Sequence, residues 1–396
     1  MSRRKSNPAP QAPAAKQLWS KRLLSLERRL KTMVAAVREI VEIESPSDDK
    51  SAADRMGAHL AEKFAAMGGV ITRHKARDRG DHLQVNFAGR DRRKPVLLLG
   101  HFDTVYPLGT LATMPCSEAN GKLMGPGVLD MKAGIVLMMF AIEALQEWHG
   151  ELPRPVTVLL VSDEEVGSNS SRKITEALAR QSAGVLVLEP SYGPKGAVKT
   201  ARKGVGEYAL RVRGVASHAG LDPARGHSAI VELARQIDVV RKLTDLTRGI
   251  SVNVGVIRGG TRTNVIAAEA VAEIDVRIAS AGQAKALDRS LRALRPFDKH
   301  CKIEITGGIN RMPMERSTGV VALYEKARQI SKQVGWKLTE AAVGGGSDGN
   351  FTAGIGIPTL DGLGAVGDGA HATHEFIYTS ELPRRALLLA GMIEAV

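Results

Sequence analysis

Three segments constrain the fold of this chain most: Lys94–Val105 (KPVLLLGHFDTV), Pro155–Glu165 (PVTVLLVSDEE) and Ala183–Pro190 (AGVLVLEP). Each is an unbroken apolar run that stops on an imidazole or a carboxylate. A strand without apolar–polar alternation is buried on both faces, as in a parallel sheet covered by helices on each side. Helical spacing fills the gaps between the runs, at Asp130–Trp148 and Ser170–Gln181. Upstream, Leu23–Ile43 reads as one helix ending before Ser45-Pro46, and Ser51–Gly69 as another closed by Gly68-Gly69. The fold class expected is α/β with a mostly parallel sheet.

The texture changes after Lys203. Gly206–Ala216 and Asn264–Ser280 alternate apolar and polar positions, as half-solvated antiparallel strands do. Helical patterns follow at Gly226–Leu243 and Ala281–Leu294. The reading is a small α+β domain over 203–308 inserted into a larger one, whose parts are 20–202 and 309–396. The second part holds a helix at Thr318–Gly335, a Gly-rich loop, a short strand at Ile357–Gly364 and a last helix at Glu381–Val396.

The net charge is +13, but nine basic residues and one acid fall within the first 31 positions. Residues 1–19 read as a disordered basic tail, and the rest is only mildly basic. No nucleic-acid-binding motif accompanies the charge, so a nucleic-acid partner is not expected. The longest apolar stretch, Gly134–Ile142, is too short to span a bilayer, and the tail lacks a signal peptide's apolar core. No membrane association is expected and a cytoplasmic location is. Cys116 and Cys301 are the only cysteines and form no C-x-x-C pair, so neither a thiolate zinc site nor a disulfide framework is expected.

Ligands of α/β sheets gather beyond the carboxyl ends of the strands. Those ends here carry His101 and Asp103, Glu164 and Glu165, and Glu189; Asp130 precedes a long helix, and His371 and His374 lie near the end of the chain. Imidazole and carboxylate together are the donor set of zinc and similar divalent ions. A cation would also neutralise acids that otherwise repel. A single histidine or glutamate after a strand is most often a solvated rim residue; it is the convergence of several that points to a site.

In order along the chain, GHFDTV, GPGVLDMK, SDEEVGS, LEP, GVASHAG, GGTRTNVIAAEAVAEIDVR, GGGSDGNF and GAHATHEFI resemble the motifs of the M20 family of zinc peptidases and amidohydrolases, and within it the glutamate carboxypeptidase group. The resemblance implies a di-zinc catalytic domain with an inserted lid that also mediates homodimerisation. It implies Asp130 as the carboxylate shared by two Zn2+ ions (Co2+ or Mn2+ as substitutes), Glu165 and His371 completing one site, and His101 and Glu189 the other. Asp103 would orient His101 through its second ring nitrogen, and the Asp130–Met131 peptide would be cis. His371 matches rather than His374 because the family places a glutamate four residues after the ligand, and Glu375 is there.

The implied chemistry is attack on an amide by water whose pKa the zinc ions lower, with Glu164 as general base. His218 would stabilise the oxyanion from the partner subunit. Asn264 and Arg277 match lid positions near substrate, Arg311 the arginine that grips a free carboxylate, and Gly346 a substrate-side loop. The expected reaction is release of a C-terminal amino acid, glutamate being the plausible one, from an N-acyl or short peptidic substrate. The alternatives are a deacylase of the acetylornithine deacetylase or succinyl-diaminopimelate desuccinylase kind, and a non-hydrolytic metal-binding member.

Overall fold

The structure, a computed structural model, describes residues 12–396, with side chains described from residue 16. The chain forms two compact units. The first comprises residues up to Thr200, Arg316–Ala341 and Ile355–Val396; the second comprises Ala201–Glu315 and Ala342–Gly354.

The first unit opens with α1 (Ala12–Glu27), α2 (Leu30–Val41) and α3 (Lys50–Ala66), followed by strands β1 (Val70–His74), β2 (His82–Phe87) and β3 (Val96–His101). Two short strands, β4 (Ser117–Ala119) and β5 (Lys122–Met124), precede α4 (Ala133–His149); then come β6 (Val156–Val161), α5 (Arg172–Gln181) and β7 (Gly184–Val187). The chain passes into the second unit along β8 (Val198–Arg202), and that unit runs β9 (Gly204–Arg213), α6 (Ala229–Arg241), β10 (Ser251–Gly259), β11 (Glu269–Ile278), α7 (Ala281–Arg292) and β12 (Lys302–Arg311). Helix α8 (Thr318–Gln333) belongs to the first unit, and β13 (Glu340–Val343) leads back to the second, which holds α9 (Gly349–Gly354). Strands β14 (Thr359–Leu360), β15 (Gly367–Asp368) and β16 (Phe376–Tyr378) and helix α10 (Leu382–Ala395) complete the first unit.

The main sheet of the first unit has the order β1-β2-β6-β3-β7-β14. Strands β6, β3, β7 and β14 are parallel, and β1 and β2 add an antiparallel edge. The apolar runs are buried on both faces, as their composition requires. Val96 and Leu98 pack into one cluster with α2, α3, α4 and α10, whereas Leu97 and Leu99 pack into another with Ala179 of α5. In the second unit the order is β10-β11-β9-β12, all antiparallel. Here one face carries the core: Tyr208, Leu210 and Val212 of β9 and Ala272, Ile274 and Val276 of β11 pack under α6 and α7. Helix α7 starts on a capping box, in which Ser280 and Gln283 each satisfy the other's backbone N–H.

Several expectations are corrected. Leu23–Ile43 is two helices: the Arg29 N–H turns back to the Leu26 carbonyl, and the Arg29 side chain leaves for Glu143 and Glu147. Of the stretch 1–19, residues 1–11 lie outside the described residues, and the rest is the start of α1. That helix is anchored by Arg22, whose guanidinium pairs with Glu394 and lies over the Trp19 and Trp148 rings. The second unit extends beyond 203–308, because β12 runs on to Arg311 and Ala342–Gly354 joins it. No helix among the described residues is long and apolar enough to cross a membrane.

Candidate active site

The parallel register sets the site. His101 is the last residue of β3 and lies opposite Val161, the last of β6, while Leu99 lies opposite Val187, the last of β7. The chain beyond these strand ends therefore delivers His101, Glu164–Glu165 and Glu189 to one edge of the sheet. Asp130 arrives from the segment leading into α4, and the Asp130–Met131 peptide is cis. His371 follows β15 and is held at φ +63°. A small antiparallel sheet, β15-β16-β5-β4, ties the His371 segment to the one leading to Asp130.

The five ligand candidates form two triads sharing Asp130. Its Oδ1 lies 3.2 Å from His101 Nε2, which is 3.4 Å from Glu189 Oε1. Its Oδ2 lies 3.3 Å from His371 Nε2, which is 3.2 Å from Glu165 Oε1. Donor atoms about 2.0–2.1 Å from a tetrahedral ion stand about 3.3–3.4 Å from one another. The four separations fit that edge and exceed the ~2.7–2.9 Å usual for a charge-assisted hydrogen bond. The residues present thus fit divalent ions, with Asp130 common to both triads. Glu164 brings a carboxylate oxygen within 4.8 Å of ligand atoms of His101 and Glu189.

The electrostatics agree. Burial alone pushes the Asp130 carboxyl up, but hydrogen bonds from His101 and His371 outweigh it and hold it well below the usual carboxylate range. Burial pushes the Glu165 carboxyl up. Hydrogen bonds to Asp130 and Glu165 raise His371 to about 10. Without metal, His371 is therefore protonated at neutral pH. A cation must displace that proton, so metal affinity rises with pH up to about 10. Calorimetry of zinc binding at pH 7.5 in buffers of different ionisation enthalpy should show proton release, with His371 contributing about one proton; binding without proton uptake by the buffer would refute the assignment.

The supports of the ligands are partly new. The His101 Nδ1–H donates to the backbone carbonyl of Asp103 at 3.0 Å, and the Asp103 carboxylate is farther, at 3.5 Å. The expected carboxylate therefore faces the same ring nitrogen, with the carbonyl as the nearer acceptor. The carboxylate also accepts from Ser47 Oγ at 2.7 Å and from the backbone N–H groups of Glu164 and Glu165, both at 3.3 Å. Asp103 thus fixes the turn that bears both glutamates. Asp163 holds the far side of that turn, accepting from the Ser170 N–H and hydroxyl. Glu375 is fully buried and accepts from the N–H groups of Gly127, Leu129 and Asp130 and from the Tyr106 hydroxyl. Tyr106 also donates to the Ala372 carbonyl, next to His371. Ser47 and Tyr106 escape sequence reading, because neither belongs to a donor pattern; the only signal for Glu375 is its spacing from His371.

The lid residues lie in the second unit. His218 is exposed, and its Nδ1 accepts from the N–H groups of Gly220 and Leu221 at 3.1 and 3.0 Å. That fixes the proton of the neutral ring on Nε2. Asn264 is exposed beside it, its carbonyl accepting from Ala219. Arg277 and Arg311 both pair in register with Val205, on strands to either side of β9. Arg277 makes a two-pronged contact to Asp275, and Arg311, buried, contacts Asp348 at 3.1 Å. Gly346 lies over Val205 and Arg311; a Cβ there would come within 2.9 Å of Val205.

A parallel-sheet unit with an inserted antiparallel α+β unit, and paired His–carboxylate triads at its strand ends, define a metallohydrolase type of architecture. Residues 97–395 match the model of peptidase family M20/M25/M40, and the chain belongs to that family. Carboxypeptidase G2 of Pseudomonas sp. (strain RS-16) is 29% identical over 369 residues, covering 91% of this chain and 88% of that protein. Among solved structures, aminopeptidase PepT of Bacillus cereus ATCC 10987 superposes with a TM-score of 0.74 at 22% identity, covering 92% of this chain and 98% of that one. YXEP of Bacillus subtilis, described as a dinuclear metal-binding M20 peptidase, superposes with a TM-score of 0.65 at 14% identity, covering 94% and 98%.

Proposed function

We propose that the chain is a di-zinc carboxypeptidase-type amidohydrolase that releases a C-terminal amino acid from an N-acyl or short peptidic substrate. The observation that carries this reading is the sharing of Asp130 between two histidine–carboxylate triads at ligand-edge spacing. Bound divalent ions supply Lewis acidity, lowering the pKa of water and polarising an amide carbonyl. Glu164 stands beside the ligands without being needed to complete either triad, and its carboxylate takes the proton of the attacking water. The same carboxyl then returns the proton to the departing nitrogen, which leaves as a neutral amine. His218, with Nδ1 engaged by two backbone N–H groups, can offer only Nε2–H as a neutral donor, which suits an oxyanion.

Arg277 and Arg311 flank Val205 and give the second unit two guanidinium groups for a substrate carboxylate. The similarity to carboxypeptidase G2 supports release of a C-terminal residue, for which we propose glutamate. Homodimerisation through the second unit is supported by the open edge strand β10 and by the exposed apolar side chains of Ile230, Val231 and Ile257.

Hydrolysis of N-acyl amino acids, dipeptides and folates should require zinc and a free α-carboxylate. Turnover that persists in chelator, or that favours the esterified substrate, would overturn the proposal. Arg311→Lys should reduce kcat/KM for free-carboxylate substrates by about 10- to 100-fold, the loss of a charged two-pronged contact, and leave the esters nearly unchanged. Parallel thermal denaturation checks that the contact to Asp348 is preserved.

A further inference from the structure

We propose that the second unit carries a divalent-metal site of its own, built by His227, Asp298 and His300. One ligand atom of each lies within 4.8 Å of those of the other two. His227 Nδ1 is 2.7 Å from Asp298 Oδ2, and the two imidazole rings lie 4.1 Å apart, tilted by 30°. Two imidazoles and one carboxylate are a set that zinc, cobalt, nickel and copper accept, with water completing the coordination. All three side chains keep solvent access, so an ion can reach them.

The geometry is held from both sides. The backbone of His227 exchanges two hydrogen bonds with Val215, at 2.9 Å each. The loop bearing Asp298 and His300 is fastened to α6 by Glu232. That buried carboxylate accepts from the Phe297 and Asp298 N–H groups at 3.0 Å, and Gln236 adds a bond to the Arg295 carbonyl. Asp298 Oδ1 accepts from the His300 N–H at 2.9 Å. That bond and the one from His227 fix the orientation of the carboxylate. The segments carrying the donors are 71 positions apart in sequence, yet α6 locks them together before any ion arrives.

The site lies wholly in the second unit, and nothing in the proposed hydrolysis calls on it. The ion would neutralise Asp298 and bring the two rings under one charge, a cross-link between the start of α6 and the loop before β12.

The protein is equilibrated with excess zinc, freed of unbound ion, and its metal content compared with that of His300→Gln and His227→Gln/His300→Gln. The double variant should hold about one equivalent less, the single variant should bind that equivalent at least about tenfold more weakly, and hydrolysis should be unchanged in both. Equal metal content in all three proteins overturns the proposal. Copper added to the Glu165→Ala protein provides a second readout. The spectrum should show coupling to two imidazole nitrogens that His300→Gln reduces to one; a signal indifferent to His300→Gln also overturns it. Failure of the catalytic reading is separate, because it appears as metal content indifferent to Glu165→Ala.

Discussion

Glu164→Ala is expected to leave the metal content unchanged while lowering kcat by about two to four orders of magnitude, the range a positioned general base contributes. The geometry gives the reason. His101, Asp130 and Glu189 form one triad and His371, Asp130 and Glu165 the other, so Glu164 is surplus to both. Its carboxylate nevertheless lies among the ligand atoms of His101 and Glu189, where an attacking water would be deprotonated. The backbone of Glu164 is held by Asp103, so the substitution should not disturb the turn. Loss of a metal equivalent from this variant would make Glu164 a ligand instead of the base. Retained turnover would remove it from the chemistry.

Asp130→Ala should be more severe, because one side chain serves both triads. Metal content should fall to the level of chelator-treated protein, and hydrolysis should fall below detection. The metal-free fold should also suffer. Burial disfavours charge on His101, but bonds to Asp103, Asp130 and Glu189 outweigh it and raise the ring well above its ordinary value. His371 is likewise raised to about 10 by Asp130 and Glu165. Removing this buried anion from its two imidazole partners should lower the stability of the metal-free protein. The sign follows from the raised histidine values. The stabilisation from His371 is fully present below its ordinary value of 6.5 and is lost as pH rises through about 10. The melting temperatures of metal-free wild type and Asp130→Ala should therefore differ most on the acid side of neutrality and converge in alkali. A gap that widens with pH would contradict the ion-pair account.

The parallel core was legible because its apolar runs leave no other burial pattern, and the ligand candidates because they end those runs. His371 was legible only through resemblance: it lies on no apolar run, and the short strands β15 and β16 that position it are too brief to read. Strands β10 and β12 were missed for a related reason. Val256 and Ile257 are exposed on the edge strand, and Gly307 and Gly308 interrupt β12, so neither shows clean alternation. The bond from His101 to the backbone of Asp103 could not be foreseen, since residue identity does not say whether carbonyl or carboxylate lies nearer. The pairing of Arg277 and Arg311 across Val205 depends on strand order and on the irregularity between Ile309 and Arg311, neither of which spacing reveals.

The interruption of the first unit has a consequence for how the protein is made. Synthesis proceeds from the N-terminus, and domains generally fold as they emerge. His101, Asp130 and Glu189 have all been added before the second unit begins at Ala201, whereas β14, His371 and α10 come only after all of it. A nascent chain halted in the insertion already holds one complete triad, while the other lacks its imidazole. On the proposed two-ion reading, the His101–Glu189 triad would be ready for metal first. The last stretch of chain adds β14 to the sheet and supplies His371, so full metal loading would report that the ribosome has passed the insertion.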